Sequence, residues 1–120
     1  MKILKKSEIS IIQGNEGSEI KQYFNPDNTV NGINYSIAQF TIESGKKSKI
    51  HKITSSEIYY ILEGSGDITI EGITYSLEKE DSVFIQPNSE QFIKNTGKNN
   101  LKFLCIVEPA WETGNEEVLE

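Results

Sequence analysis

A single histidine, His51, stands in a chain of 120 residues, and Glu57 follows it six positions later. Imidazole can take or give a proton near neutral pH, and a carboxylate beside it can orient the ring or share a metal ion with it. Two readings of the pair stand side by side. In the first, His51 and Glu57 work together, as a general base with its orienting carboxylate or as two ligands of one ion. In the second, they hydrogen-bond each other in a polar pocket, satisfying two groups that are costly to bury alone.

Other residues carry weaker chemical signals. Tyr35, Gln39, Tyr59 and Tyr75 could line a pocket and bind hydroxyl groups, although aromatic residues in strands also serve as packing. Cys105, the one cysteine, lies between Leu104 and Ile106 and reads as a buried, inert thiol. It cannot form an internal disulfide, which suits a reducing cytoplasm. Lys46, Lys47, Lys49 and Lys52 gather just around His51. They read as a solvated loop, or as charges that steer an anionic ligand.

The elements that must hold these residues are strands. In "INYSIAQFTI" an alternation puts Ile33, Tyr35, Ile37, Gln39 and Thr41 on one face and Asn34, Ser36, Ala38, Phe40 and Ile42 on the other. "EIYYILEG", "DITIEGITYSL", "SVFIQP", "EQFIKN" and "LKFLCIVEP" continue the pattern, with a tight hairpin expected at Glu71-Gly72. "EIKQYFNP" is a further strand candidate. No segment shows a sustained helical stripe, and the acidic tail "ETGNEEVLE" is expected to form one loose turn at most. Many short strands with regular turns specify an all-β sandwich or barrel.

Composition excludes several classes of function. The charge is −6, from 12 basic and 18 acidic residues, and every basic residue is lysine. Arginine is the usual bidentate clamp for phosphate and guanine, so its absence argues against a nucleic-acid partner. No apolar run approaches the roughly 20 residues of a membrane helix, and no secretory signal follows the basic N-terminus. One domain in the cytoplasm is expected.

Spacing narrows the fold further. Gly45, His51, Ile53, Glu57 and Gly64 stand in the order G-x5-H-x-I-x3-E-x6-G, and "EDSVFIQPNSEQFIKN" closes with Asn95. The pattern resembles the two motifs of the cupin superfamily, G-x5-H-x-H-x3-E-x6-G and G-x5-P-x-G-x2-H-x3-N. Ile53 replaces the second histidine and Gln91 the third. Glu80, Gln86 and Asn88 replace a glycine, a proline and a glycine; asparagine tolerates the left-handed backbone that such a turn needs.

The resemblance implies a cupin-type double-stranded β-helix, a jelly-roll barrel of two antiparallel sheets. Its motif-bearing part would cover about 33–109, with an N-terminal strand segment at about 7–26 and an acidic tail at 110–120. It also implies a divalent metal (Mn, Fe, Ni or Zn) inside the barrel, here on His51, Glu57 and Gln91. Their imidazole, carboxylate and amide donors lean towards Mn or Fe rather than a closed zinc site. A metal-free protein is the other reading.

Three functions are expected in parallel. The first is an enzyme centred on His51 and Glu57, either isomerase- or epimerase-like or metal-assisted. The second is a binding module holding a sugar or small organic acid against Tyr35, Gln39, Tyr59 and Gln91. The third is an oligomerising domain. A homodimer is expected because antiparallel sheets leave edge strands to cover, with Trp111 either anchoring a second subunit or capping its own barrel.

Overall fold

The computed structural model describes residues 1–120. Eleven strands follow in the order β1 (Ile11–Gln13), β2 (Glu19–Phe24), β3 (Ser36–Ile42), β4 (His51–Ile53), β5 (Ser56–Glu63), β6 (Ser65–Ile70), β7 (Ile73–Glu78), β8 (Ser82–Ile85), β9 (Gln91–Asn95), β10 (Leu101–Glu108) and β11 (Glu116–Val118). Two short 3-10 turns, Lys6–Glu8 and Thr113–Asn115, are the only helical segments. The strands form two antiparallel sheets, ordered β1-β2-β3-β10-β5-β8 and β11-β4-β9-β6-β7. This is the expected all-β jelly-roll barrel.

Alternation builds the core. Along β10, Leu101, Phe103, Cys105 and Val107 point inward, and along β5 Glu57, Tyr59 and Ile61 do so. Tyr59 and Phe103 meet with ring centroids 4.6 Å apart, and Phe40 stacks on Phe103 at 5.4 Å. Ile42, Ile53, Ile68, Ile85 and Ile93 complete one apolar cluster between the sheets. Such aromatic and branched residues suit a pleated, half-buried surface, and their burial is the main stabilising term.

Turn chemistry fixes the register. Ile70 pairs with Ile73, and the two residues between them, Glu71 and Gly72, have φ of 49° and 80°. Positive φ at both positions matches the right-handed twist of a two-residue hairpin. Asn88, in place of a motif glycine, has φ 63°. At Gly64 (φ 83°) a Cβ would lie 2.8 Å from the Asn100 carbonyl oxygen, so only glycine fits without backbone movement.

One part of the chain differs from expectation. The acidic tail is not a loose turn: β11 pairs with β4, setting Glu116 opposite Ile53 and Val118 opposite His51. The three-residue β4 would otherwise leave its outer backbone groups unpaired, and the tail fills that edge. The N-terminal segment joins the larger sheet through β2, which pairs with β3. The hairpin between β1 and β2 is folded against the chain before β4, because the Lys49 amide donates to the Glu16 carbonyl at 2.6 Å.

Candidate functional site

A cavity of about 330 Å³ lies between the sheets, and His51, Ile53, Glu57, Tyr59, Cys105 and Trp111 help line it. The short strand β4 supplies His51 and Ile53 on one face, two residues apart, as strand geometry requires. β5 supplies Glu57 and Tyr59, and β10 supplies Cys105 beside Tyr59. Gln91 stands directly opposite His51 across the β4–β9 pair.

His51 is 4% exposed, and its Nδ1 lies 2.7 Å from the Lys49 carbonyl oxygen. In the neutral ring this contact puts the proton on Nδ1 and leaves the Nε2 lone pair free. No hydrogen-bonding group of the protein meets Nε2, and every polar side-chain atom fully shut off from solvent has a partner, so Nε2 is not among the shut-off atoms. Nε2 therefore opens onto the cavity that the residue lines.

Glu57 is bonded elsewhere. One oxygen accepts from Gln91 Nε2 at 2.5 Å, and the other accepts the Cys105 thiol at 3.2 Å. Gln91 in turn accepts the Tyr59 hydroxyl at 3.0 Å. The result is a buried network of Tyr59, Gln91, Glu57 and Cys105. Burial pushes the Glu57 carboxyl above its ordinary value, against the Cys105 and Gln91 hydrogen bonds and the charge of His51, which pull it down. Burial also raises the Tyr59 hydroxyl and the Cys105 thiol well above their ordinary ranges, with the Glu57 charge adding to both. A thiol raised in this way is a poor nucleophile at neutral pH.

The direct His51–Glu57 hydrogen bond considered from sequence does not form; the Lys49 carbonyl takes the orienting place. Tyr35 and Gln39 do not reach the cavity. The opposite face of β3 does so, through Ser36, Ala38 and Phe40. The alternation is in the expected phase, but its polar-looking face is the outer one: Tyr35 is exposed, as is Tyr75 on β7. Trp111 is half-buried, and its amide donates to Ser36 Oγ at 3.0 Å. It caps its own barrel instead of projecting outward. The lysines near His51 stand away from the cavity, where Lys47 pairs with Glu120 at 3.2 Å and Lys52 with Glu117 at 3.8 Å.

Two acidic residues at the site carry no signal in the motifs. Glu16, 3% exposed, enters the cavity from the β1–β2 hairpin, where Ser18 donates to its Oε1. A Cβ on Gly14 would overlap that oxygen, so glycine there leaves room for the carboxylate. Glu116 enters from β11, opposite Ile53, and Asn15 approaches it at 3.5 Å. Burial raises its carboxyl above the ordinary value, while His51 lowers it. The only sequence signals were glycine punctuation around Glu16 and a short alternation, Glu116-x-Val118, in the tail.

These contacts test the donor set for a metal. Ile53 gives no donor, Gln91 turns its amide N–H₂ to Glu57 and its oxygen to Tyr59, and Glu57 is held on both oxygens. No group of three His, Cys, Asp or Glu residues is placed to hold one ion. As arranged, His51, Glu57 and Gln91 do not fit a divalent metal.

The chain matches the cupin domain family over residues 38–107, the stretch from β3 through most of β10. It belongs to the cupin superfamily. It is 37% identical over 106 residues to an uncharacterised protein of Methanocaldococcus jannaschii, covering 88% of this cupin and 84% of that protein. Solved structures share the barrel at low identity. An RmlC-like cupin from Shewanella frigidimarina superposes with a TM-score of 0.75 at 17% identity, covering 92% of each chain. The polyketide cyclase RemF of Streptomyces resistomycificus superposes at 0.82 and 13% identity, over 100% of this cupin and 86% of that chain. At such identities the likeness is one of fold.

Proposed function

We propose that this cupin binds one small organic molecule in its barrel cavity and that His51, through Nε2, is the group that meets it, as hydrogen-bond acceptor and general base. The 2.7 Å contact between His51 Nδ1 and the Lys49 carbonyl carries this reading, because in the neutral ring it fixes the tautomer that leaves a lone pair for the cavity. The chemistry such a base performs is proton abstraction, as in an isomerase- or epimerase-like reaction. The step needs no metal: the base takes a proton from carbon beside a carbonyl, leaving an enolate, and the protonated ring returns it to the neighbouring carbon on the same face. A free organic acid suits the lining poorly, since Glu16, Glu57 and Glu116 face it and no lysine does.

A second reading, binding without turnover, is favoured by Glu57. It is tied to Gln91 and Cys105, and so does not polarise His51 in the manner of a catalytic pair. A thermal-shift screen of small keto-sugars, polyols and amines against the parent and His51→Ala separates the two. Ligands that raise the melting temperature are then followed by proton NMR in D₂O. Loss of a C–H signal with the parent alone supports the base. Stabilisation without exchange supports binding only. Stabilisation equal in His51→Ala removes His51 from the site.

The homodimer belongs to the same proposal. Phe24, Ile37, Ile106, Ile58 and Phe84 lie in register across the outer face of the larger sheet, on β2, β3, β10, β5 and β8. Phe84 is 59% and Ile58 42% exposed. A contiguous apolar stripe of this kind supports docking against a second copy of the same sheet.

A further inference from the structure

We infer that the cavity takes an organic cation, a primary ammonium group carried on an apolar body. The inference rests on the small-molecule reading above and names the ligand class. Among the acidic and basic residue types, only Glu16, Glu57, Glu116 and His51 line the cavity. Glu16 and Glu116, with Glu57 behind them tied to Gln91 and Cys105, leave an acidic cavity with no facing lysine or arginine, which disfavours an anion and favours a cation.

The unpartnered acceptors of the cavity point the same way. Two atoms of side chains more than nine-tenths buried have no partner in the protein: His51 Nε2 and Glu16 Oε2. Both are acceptors, because Nδ1 already donates to Lys49 and a carboxylate only accepts. A ligand that satisfies both must donate at least twice. A primary ammonium has three donors and the matching charge, and its bonds to carboxylate are charge-assisted. A bare divalent ion would need three ligating side chains within reach, and the acidic groups and His51 are not placed so. Part of the wall, Ile12, Ile20, Phe40 and Trp111, is apolar or aromatic and suits a hydrocarbon body and a cation–π contact, beside neutral polar side chains such as Gln22 and Ser36.

Trp111 is the only tryptophan and lines the cavity, so its emission reports occupancy. The test titrates the full-length protein with three probes of similar shape: 2-phenylethylammonium, 2-phenylethanol and 3-phenylpropionate. The ammonium should bind about tenfold or more tightly than the alcohol, and the carboxylate should not bind. Glu16→Gln and Glu116→Gln should each lower ammonium affinity several-fold more than alcohol affinity, because only the ammonium loses an opposite charge. Glu116 lies at the half-buried side of the cavity, so its variant tests the idea even if Glu16→Gln unfolds. Equal affinities for ammonium and alcohol, or preference for the carboxylate, overturn the cation inference and leave the small-molecule cavity standing. Stoichiometric Mn²⁺ binding that displaces the ammonium overturns it in favour of a metal. No response to any probe overturns both readings.

Discussion

Gln91 donates to Glu57 at 2.5 Å while its own oxygen accepts the Tyr59 hydroxyl at 3.0 Å, so one amide satisfies two buried groups from neighbouring positions on β5. The motif spacing treats His51 and Glu57 alike, but this contact separates them. Glu57 is part of the core, whereas His51 stands at the edge of an open space.

Gln91→Leu should therefore destabilise the fold strongly. It strands a buried carboxylate and a phenol hydroxyl at once, a loss of about 2–4 kcal/mol. His51→Ala removes only the contact to a backbone carbonyl and should cost about 1 kcal/mol. Urea denaturation of both variants measures the difference. Equal midpoints would mean that Gln91 contributes nothing beyond its volume.

Glu57 also gives stability a pH dependence. Its carboxyl is raised in the folded protein above the ordinary value of 4.5. The folded state then holds a proton that the unfolded chain has lost, and it binds more protons across that interval. This contribution is fully present below 4.5 and is lost as pH rises through the raised folded value. Glu116 acts in the same direction. Glu57→Gln keeps an acceptor for Gln91 and removes the charge. Its melting temperature should fall less than the parent's between pH 4.5 and 7. An unchanged fall in the variant would show that Glu57 is not the group responsible.

Ile53 occupies the place of the missing motif histidine, lining the cavity beside His51. Ile53→His should add an imidazole there and raise Ni²⁺ affinity about tenfold or more, at a cost of about 1–3 kcal/mol in metal-free stability. Excess Ni²⁺ should restore the melting temperature. Isothermal titration of parent and variant checks this, and equal Ni²⁺ affinities in two folded proteins would contradict it.

The outer stripe predicts assembly. Phe84→Glu and Ile58→Lys each set a charge into it and should convert a dimer into a monomer, with stability of the barrel changed by less than about 0.5 kcal/mol. Light scattering at micromolar concentration reads the mass. A parent protein that is already monomeric ends the dimer proposal.

Strands with long alternation were legible because period two survives in any context: β3, β5, β6, β7, β9 and β10 follow from their own residues. The turn at Glu71-Gly72 was equally local. The three-residue strands β1, β4 and β11 were not, since each exists only through its partner across the sheet. Glu16 sits in the turn between β1 and β2 and Glu116 on β11, in an N-terminal strand segment and an acidic tail whose own residues do not say that they reach the cavity. The choice of face on β3 failed for a related reason. Tyr35 and Gln39 look suited to binding, but burial of the Ser36, Ala38 and Phe40 face is decided by what packs opposite, which no local pattern contains.

Cys105 gives the cavity a clock. It is the only thiol, it is 2% exposed, and it faces the same space as His51. With its thiolate suppressed by burial and by Glu57, alkylation waits on both deprotonation and entry of the reagent. Any modified molecule has thus had its interior visited. Reagents of graded width report how far the entrance opens, and the slowing of that reaction by a bound molecule reports how long the occupant stays.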